Sequence, residues 1–377
     1  MPLDAEQVKA AALRAGFSKC GIARAEPLDP APLDRVLGRG AEADMVWLRA
    51  QRAERLDPAR VLPGVRSVVA LALSYCMGAE AQADEPGPER AGRRRAPPAE
   101  GARAKPEQSM VRGAELHPAP RQGVGEVARY ARGRDYHAVM KRKLRALVAD
   151  LGAQDPGARF WAGSDIGPVM EKAWAQRAGI GWVGKNGCLI TPEHGSWVVL
   201  AAVLTDRALA ADAPHPERCG SCTACLAACP TAAIPEPGLV DARRCLSFWT
   251  IERRGDVPAE IAERLGPWAF GCDDCQTVCP WNHGLAPSAD PELAPLPGQS
   301  GLDLLPLIEL TQEQYRRRYY GTALARARQD GLVRNAILQA GLHRDGRCLA
   351  AIRAHLESPH PGVRAAAAWA VARLEGE

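Results

Sequence analysis

The sequence has little lysine and no long apolar run, and its first residues do not match an export signal. The longest apolar run covers 197–204, far below the ~20 residues that a membrane-spanning helix needs. The opening MPLDAEQVKAAALRAGF has no basic segment before an apolar stretch and no twin-arginine pair. These absences predict a cytoplasmic protein without a membrane partner.

Three common cofactor motifs are also missing. No G-x-G-x-x-G follows a strand in residues 1–206, so dinucleotide binding of the Rossmann type is unsupported. The glycine-rich segment 181–187 lacks Walker A spacing. Asp135-Tyr136-His137 begins like an Asp-x-His-x-x-Gly motif but lacks its glycine. Nucleotide cofactors therefore receive no support from the sequence.

Charge gives only a weak indication of a partner. The net charge is +4, and 41 of the 48 basic residues are arginine. Arginine suits phosphate contacts better than lysine, although a GC-rich genome gives the same excess. Seven basic residues against one acidic residue gather over 129–145, and 311–377 carries a net +5. The first of these segments is either a solvated surface helix or a phosphate-facing helix.

The chain divides into three segments by composition. Residues 1–206 alternate helical and strand patterns, which predicts an α/β or α+β domain, and the proline-rich stretch 78–125 within it is expected to be a flexible insertion. Residues 207–290 are rich in cysteine, and 299–377 resemble HEAT-like helical repeats. The patterns predict helices at 4–16, 168–179, 333–342, 348–356 and 361–374, a strand at 67–75, and a strand pair at 188–191 and 197–205.

The cysteines give the strongest functional signal. Residues 219–230 read C-x2-C-x2-C-x3-C-P, the run of two-cluster bacterial ferredoxins, in which the fourth cysteine ligates the other cluster. A second run, 272–280, lacks one cysteine, and the isolated Cys245 is available to replace it. The predicted ligands are Cys219, Cys222, Cys225 and Cys279 for one 4Fe–4S cluster and Cys229, Cys245, Cys272 and Cys275 for the other.

The alternative for these eight cysteines is a pair of zinc sites. Four thiolates hold tetrahedral zinc readily, but the ferredoxin spacing, which closes twice on Cys-Pro, favours iron–sulfur clusters. The remaining four cysteines are expected to be core thiols: Cys20, Cys76, Cys188 and Cys348.

With these motifs in this order, the sequence resembles the epoxyqueuosine reductase family. The resemblance rests on WAGSDIGPVMEKA at 161–173, AGIGWVGKN at 178–186, the two cysteine runs, RCLSF at 244–248, RNAI at 334–337 and VRAAAAWA at 363–370. It implies a nitroreductase-like cobalamin-binding domain, a ferredoxin-like domain with two 4Fe–4S clusters and a C-terminal HEAT-like repeat. It also implies reduction of the epoxide of epoxyqueuosine at the wobble position of tRNA, the last step of queuosine formation.

The same resemblance implies roles for single residues. Asp165 is expected to be the catalytic acid, kept neutral by an apolar site, whereas local sequence alone also allows a helix N-cap. Base-off cobalamin is expected to meet Arg55, Ala128, Asp165, Leu189, Leu200 and Leu246. Lys172, Arg253 and Arg334 are candidates for tRNA contacts, as are the 129–145 segment and the C-terminal repeat. Lys185 and Asn186 are expected to contact cofactor or tRNA, or to cap a turn.

Two other functions fit part of the pattern. A cobalamin-dependent reductive dehalogenase shares the cofactors, but it has no need of a basic helical tail. A pure electron carrier shares the clusters but leaves the first domain without a purpose. The favoured interpretation is a monomeric tRNA-modifying reductase that takes electrons from a low-potential donor.

Overall fold

The computed structural model describes residues 3–76, 121–165, 167–287 and 290–376. The predicted insertion at 78–125 lies mostly outside these residues. Its last residues enter the strand Val124–Val127, so the predicted boundary extends too far along the chain.

The described residues form short strands and helices in a mixed order, which confirms an α+β chain. The strands are Lys19–Arg24 (β1), Ser67–Ser74 (β2), Val124–Val127 (β3), Phe160–Gly163 (β4), Trp182–Val183 (β5), Leu189–Ile190 (β6), Val198–Thr205 (β7), Trp268–Phe270 (β8) and Gly301–Asp303 (β9). The helices are Ala5–Arg14 (α1), Ala31–Gly38 (α2), Trp47–Ala50 (α3), Arg52–Leu56 (α4), Tyr136–Gln154 (α5), Glu171–Arg177 (α6), Ala224–Ala228 (α7), Ala259–Ala262 (α8), Asp274–Thr277 (α9), Leu304–Ile308 (α10), Gln312–Tyr319 (α11), Arg328–Leu342 (α12), Leu349–Arg353 (α13) and Pro361–Glu375 (α14).

An antiparallel sheet in the order β1-β2-β7-β4 forms the centre of the first region. Successive side chains of a strand point to opposite faces, and every residue of β2 is buried. Val69, Leu71 and Leu73 pack with the apolar faces of α1 and α5. The residues between them pack with Trp174 of α6 on the other face. The sheet therefore lies between two helical layers.

A second sheet joins distant parts of the chain. Strand β3 pairs in parallel with β8 and antiparallel with β9, in the order β8-β3-β9. One buried core extends from Val127 through Phe270 to Ile337 and Ala367. The cluster region and the C-terminal helices thus share a core with a strand from the first predicted domain, and the division at 206 does not separate their packing.

The predicted strand pair around the turn at 192–195 is wrong. Strand β6 pairs with β5, whereas β7 pairs with β2 and β4. The turn itself closes with a bridge between Thr191 and Gly195. The apolar residues of β7 fill the middle of a four-stranded sheet instead of a hairpin, because both faces of that strand find helices to cover them.

The C-terminal helices agree with the sequence pattern. Helices α12 and α14 pack against each other, and α13 lies between them in sequence. Pro361 opens α14, and Gly376 ends it in the left-handed conformation that glycine adopts at low cost. Among the helices of the described residues, none has the length and apolar character that would take it across a membrane.

Candidate active site

The two cysteine runs form loops that lead into short helices. The loop from Cys219 leads into α7, and the loop from Cys272 leads into α9; the two helices pack against each other. Cys229 ends α7 with extended backbone, as expected before a proline. This loop–helix arrangement lets the last cysteine of each run point away from the earlier ones.

One group of thiols contains three cysteines of the first run and the last of the second. The pKa of Cys279 rises to about 12, first because the thiol is buried and then because Cys219, Cys225 and Cys222 disfavour another negative charge nearby. Burial likewise raises the pKa of Cys225 to about 11, with Cys219 and Cys222 adding to it. These four thiols are therefore neighbours.

The other group contains Cys229, Cys245, Cys272 and Cys275. Burial is the main cause of the raised pKa at Cys245, and the nearby Cys229 adds to it. The pKa of Cys272 is raised by burial and, in smaller part, by Cys245 and Cys275. Cys245 thus lies near Cys229, Cys272 and Cys275, while Cys275 also lies near Cys225 of the first group, so the assignment of the eight cysteines to two sets stays a prediction.

Within the described ranges, no three side chains of His, Cys, Asp or Glu converge closely enough to hold a single metal ion. In a tetrahedral zinc site, Zn–S bonds of ~2.3 Å would bring the sulfurs within about 4 Å of one another. Of the other cysteines, Cys76 and Cys348 are buried, and Cys20 and Cys188 are half-buried.

The segment 181–187 holds the cysteine loops in place. Lys185 Nζ donates to the carbonyl oxygens of Gly220 and Cys222 at 2.6 and 3.0 Å. Asn186 Nδ2 donates to the Cys275 carbonyl at 3.3 Å, and Trp182 Nε1 donates to Cys219 Sγ at 3.5 Å. The structure therefore gives Lys185 and Asn186 a role that the sequence did not predict: they attach the first region to both cysteine groups.

Asp165 lies in a hydrogen-bonded chain at the end of strand β4. Its Oδ2 accepts from the Tyr136 hydroxyl at 2.5 Å and lies 3.1 Å from His137 Nε2. The other ring nitrogen, Nδ1, lies 2.8 Å from Asp135 Oδ1. Asp135 is also the N-cap of α5, which fixes where the imidazole points. We call Asp135, His137 and Asp165 the carboxylate–imidazole chain.

The protonation state of Asp165 differs from the neutral carboxyl that was expected. The pKa of Asp165 is lowered, first because of the hydrogen bond from His137, and its side chain is 62% exposed. Burial disfavours a charged His137, but hydrogen bonds to Asp135 and Asp165 outweigh burial and raise its pKa to about 9. At neutral pH the proton therefore lies on His137 and Asp165 is a carboxylate.

Asp165 is not a helix N-cap either. Helix α6 begins at Glu171, three residues later than predicted, and its N-cap Met170 makes no side-chain cap. Asp165 instead has a φ of +63°, which is costly for a residue other than glycine. Its backbone N–H donates to Glu171 Oε1 at 2.7 Å. Glu171 is a functional candidate that the sequence analysis missed, since a glutamate in a first helical turn is ordinary.

Glu171 and Arg55 are two further ionisable groups near Asp165, and each feels the charge of the other. Burial raises the pKa of Glu171 to about 7, with Asp165 raising it further and Arg55 lowering it. Arg55 is 7% exposed, and burial lowers the pKa of its guanidinium. Its Nε is buried without a hydrogen-bond partner, so one donor remains for a bound group. This donor fits the amide-rich cofactor that the resemblance implies.

The other residues expected at cobalamin lie in two buried patches. Ala128 and Leu246 belong to the core shared with the C-terminal helices, and Leu189 and Leu200 pack on the α6 side of the central sheet. A side chain on Gly271 would come within 2.5 Å of Ala128 Cβ, so glycine permits this close approach beside Cys272. The contacts of these four residues with cobalamin stay a prediction.

The tRNA assignment of Arg334 is wrong. Arg334 is 2% exposed, and its guanidinium donates to the carbonyls of Trp249, Arg253 and Gly255 at 2.7 to 2.9 Å. A buried guanidinium with these partners cannot reach a phosphate. It attaches α12 to the cluster region.

Other arginines and lysines of the predicted tRNA surface are also partly engaged. Arg253 pairs with Asp44 at 2.7 Å, and Lys172 donates to the Gly187 carbonyl at 2.8 Å. In the 129–145 segment, Arg142 and Lys143 form ion pairs with Glu292 and Asp290. Both interpretations of this segment stay open.

Two family models match the chain. A 4Fe-4S double cluster binding domain covers residues 218–282, which contain all eight predicted ligands. The model described as Epoxyqueuosine reductase QueG, DUF1730, covers residues 55–165 and ends at the proposed acid. A proton-holding site joined to a double iron–sulfur module defines the protein as an iron–sulfur oxidoreductase.

Relatives of known name match nearly the whole chain. The epoxyqueuosine reductase of Gloeobacter violaceus is 42% identical over 344 residues, which cover 89% of this chain and 95% of the relative. That of Pseudomonas aeruginosa is 33% identical, over 98% of this chain and 94% of the relative. The chain belongs to the epoxyqueuosine reductase family.

Solved structures agree with this membership. An epoxyqueuosine reductase crystallised with an epoxyqueuosine-modified tRNA-Tyr stem loop matches with a TM-score of 0.81 and 30% identity, over 98% of this chain and 89% of that one. A Bacillus subtilis epoxyqueuosine reductase matches with a TM-score of 0.79, 30% identity and coverage of 98% and 90%. The latter is described with an aspartate-bearing catalytic loop swung out of the active site.

Proposed function

We propose that this protein reduces epoxyqueuosine to queuosine at the wobble position of tRNA, the last step of queuosine formation. Family membership gives the reaction class, and the carboxylate–imidazole chain is the observation that supports it in this molecule. Reduction takes two electrons and two protons, and the epoxide oxygen leaves as water. The site therefore has to hold protons beside a source of electrons.

The proposed proton donor is Asp165, supplied by His137. When the epoxide opens, negative charge develops on its oxygen, and a proton held nearby stabilises that charge. His137 holds this proton at Nε2, 3.1 Å from Asp165 Oδ2, because its pKa is about 9. As negative charge develops on the oxygen, Asp165 Oδ2 accepts the proton from His137 and passes it to that oxygen, while Asp135 keeps the imidazole oriented. A proton shared with His137 thus replaces the permanently neutral Asp165 that the resemblance led us to expect.

Base-off cobalamin is proposed as the group that delivers the electrons to the epoxide. Bound here, it would supply a reduced cobalt centre of strong nucleophilic and electron-donating character. Arg55 would hold it through the buried Nε that lacks a partner, with Ala128, Leu189, Leu200 and Leu246 packing against it. None of these residues is a histidine, which agrees with base-off binding without a protein imidazole on the metal.

The two 4Fe–4S clusters would be held by the crossed sets of cysteines. The set Cys229, Cys245, Cys272 and Cys275 adjoins two of the residues that would hold cobalamin. Leu246 follows Cys245 directly, and Ala128 lies against Gly271, next to Cys272. The cluster held by the set that contains Cys219 would be the one that receives electrons from an external low-potential donor.

The finer architecture is part of the same proposal. Residues 1–206 would form a nitroreductase-like catalytic domain, 207–290 a ferredoxin-like domain, and 299–377 a HEAT-like repeat that contacts tRNA. The antiparallel sheet between helical layers supports the fold proposed for the first domain, and the packed pair α12 and α14 supports the helical repeat. The protein would act as a cytoplasmic monomer.

The reaction is tested with purified, anaerobically reconstituted protein and an anticodon stem loop that carries epoxyqueuosine. Nucleoside mass spectrometry should show loss of epoxyqueuosine and gain of queuosine, and a deletion strain should accumulate epoxyqueuosine. An aryl halide, offered as the substrate of a reductive dehalogenase, should remain unchanged. Conversion of the halide without conversion of the RNA would contradict the proposal.

Cluster ligation is tested at Cys245, the residue outside both runs. The wild type should hold about eight iron per chain, four for each cubane. Cys245→Ala should lose about half of this iron and one of two electron paramagnetic resonance signals, whereas Cys20→Ala should lose neither. A full iron count in Cys245→Ala would show that the crossed assignment is wrong.

A further inference from the structure

Large apolar side chains are few on the surface of the described residues, and two of them are adjacent. In the described part of the chain the exposed ones are Leu13, Val46, Trp47, Tyr320 and Leu356, with Tyr320 the most exposed at 82%. Val46 and Trp47 are neighbours in sequence, and Arg326 lies 5.9 Å from the centre of the Trp47 ring. Exposed apolar groups that gather at one place usually mark a binding surface.

This place is the rim of the active site. Tyr320 precedes Gly321, whose carbonyl accepts the Asp135 N–H at 2.9 Å. Asp135 belongs to the carboxylate–imidazole chain. The pKa of Arg326 is raised first by its hydrogen bond with Glu252, and the charges of Asp165 and Tyr136 contribute further. We call Trp47, Tyr320 and Arg326 the rim patch.

The loop that carries Arg326 is held in place by an ion pair and hydrogen bonds. Arg326 makes a two-point ion pair with Glu252 at 2.8 and 2.9 Å. The Arg326 carbonyl accepts from Arg254 Nη2 at 2.6 Å, and Arg254 also donates to the Ile251 carbonyl at 2.9 Å. The ion pair and the hydrogen bonds thus fix the loop that carries Arg326. None of these contacts requires the rings of Trp47 and Tyr320 to face solvent.

Free positive charge lies next to the patch. Arg316, Arg317 and Arg318 occupy the last turn of α11, directly before Tyr319 and Tyr320, and all three are exposed. Among the described residues none of the three has an ion-pair partner. Exposed aromatic rings beside unpaired cations are the arrangement that binds unstacked bases and their phosphates.

We infer that the rim patch stacks against unpaired anticodon-loop nucleotides that flank the modified base, while Arg316, Arg317 and Arg318 contact their phosphates. The inference deepens the proposed function and rests on it. A base drawn into an active site leaves its neighbours unstacked, and aromatic faces replace the lost stacking. Stacking tolerates different neighbouring bases, so the surface would serve several tRNAs.

The test compares ring removal with ring retention in the full-length holoprotein. Binding of an epoxyqueuosine-bearing anticodon stem loop is measured for Tyr320→Ala, Tyr320→Phe, Trp47→Ala and Trp47→Phe. Each alanine variant should weaken binding by roughly 5- to 150-fold, as expected for a lost stacked base, and each phenylalanine variant by much less. KM should rise with kcat little changed. Leu356→Ala, which removes an exposed apolar side chain elsewhere, should have no effect.

A second measurement separates stacking from charge. A fully paired RNA hairpin without unpaired bases should bind the alanine variants as it binds the wild type. Replacing Arg316, Arg317 and Arg318 by glutamine should flatten the salt dependence of stem-loop binding, by about 0.7 in log–log slope for each phosphate that is no longer neutralised. Iron content and thermal melting serve as folding controls.

The outcomes are distinguishable. Unchanged stem-loop affinity in Tyr320→Ala and Trp47→Ala, with normal wild-type turnover, overturns the rim inference and leaves the proposed function standing. Loss of bound corrinoid absorption with intact RNA affinity assigns the patch to the cofactor and also overturns it. A wild type that neither binds nor converts the modified stem loop overturns the proposed function itself.

Discussion

Two carboxyl groups six residues apart, Asp165 after strand β4 and Glu171 at the start of α6, have pKa values shifted in opposite directions. Asp165 is largely exposed and has a lowered pKa, because His137 and Tyr136 donate to it. Glu171 is partly buried and has a pKa raised to about 7, because burial disfavours its charge. The outer group is thus an anion that receives protons, and the inner group is a structural acceptor that positions it.

This difference shows that partners, and not apolar surroundings alone, decide which carboxyl carries the catalytic proton. A neutral Asp165 would need burial, which the structure gives to Glu171 instead. The proton that Asp165 lacks at neutral pH is stored on His137. The two carboxyl groups therefore predict distinct consequences when each is altered.

The largest effect is expected at Asp165. Asp165→Asn removes the group that passes the proton, and loss of a general acid typically costs roughly 10²–10⁴-fold in rate. Single-turnover reduction of epoxyqueuosine in a pre-bound stem loop measures the loss, with cofactor content and RNA affinity as controls. A rate close to that of the wild type would exclude Asp165 as the donor.

His137→Gln should reduce the rate by about a hundredfold at neutral pH, at the lower end of the range for acid–base groups. The pKa of His137 is raised to about 9, so its proton is present below that pH and lost above it. Wild-type activity should therefore fall as pH rises through about 9, whereas the variant should already decline at lower pH. Identical pH–rate profiles would contradict the proton store.

Glu171→Ala should lower kcat by about tenfold, since the strained backbone at Asp165 loses its acceptor. Glu171→Gln keeps an acceptor oxygen and should retain most activity. A raised pKa means that the folded state binds the proton more tightly, so wild-type stability falls as pH rises from about 4.5 to about 7.

The stability comparison sharpens this assignment. Glu171→Gln should melt at a higher temperature than the wild type at pH 8, and this advantage should shrink at pH 5, where Glu171 is protonated. Equal melting temperatures at both pH values would show that burial does not disfavour the charge of Glu171.

The smallest effect is expected at Tyr136. Tyr136→Phe removes the hydroxyl that donates to Asp165 Oδ2 but leaves His137 in place. One lost hydrogen bond corresponds to roughly a threefold change in rate. The pH at which activity falls should change little, because the pKa of His137 sets that pH. A loss as large as that of Asp165→Asn would make Tyr136 itself the donor.

Local sequence predicted much of the fold. The predicted helix at 4–16 contains α1, which Asp4 starts with a complete capping box, and the predicted strand at 67–75 forms the buried β2. These signals act over a few residues. The pairing of β3 with β8 and β9 joins segments from three parts of the chain and leaves no local trace.

The candidate site divides in the same manner. Its acid, Asp165, was predicted from the family resemblance. Its partners Tyr136 and His137 lie 28 to 29 residues earlier and belong to no complete motif. The sequence does not distinguish buried arginines from exposed ones, since Arg334 and Arg318 both lie in Arg-rich helical segments. In the structure Arg334 is buried and donates to three backbone carbonyls, whereas Arg318 faces solvent.

By itself, the sequence predicted the two sets of cysteines, the reaction class and the helices α1, α6, α12, α13 and α14, because ligand spacing and apolar periodicity are properties of neighbouring residues. Only the tertiary structure decided where the proton resides, which arginines are free and which segment holds the cysteine loops. These properties depend on burial and on contacts between residues far apart in the chain, and both change the charge and reach of a side chain whose identity stays the same.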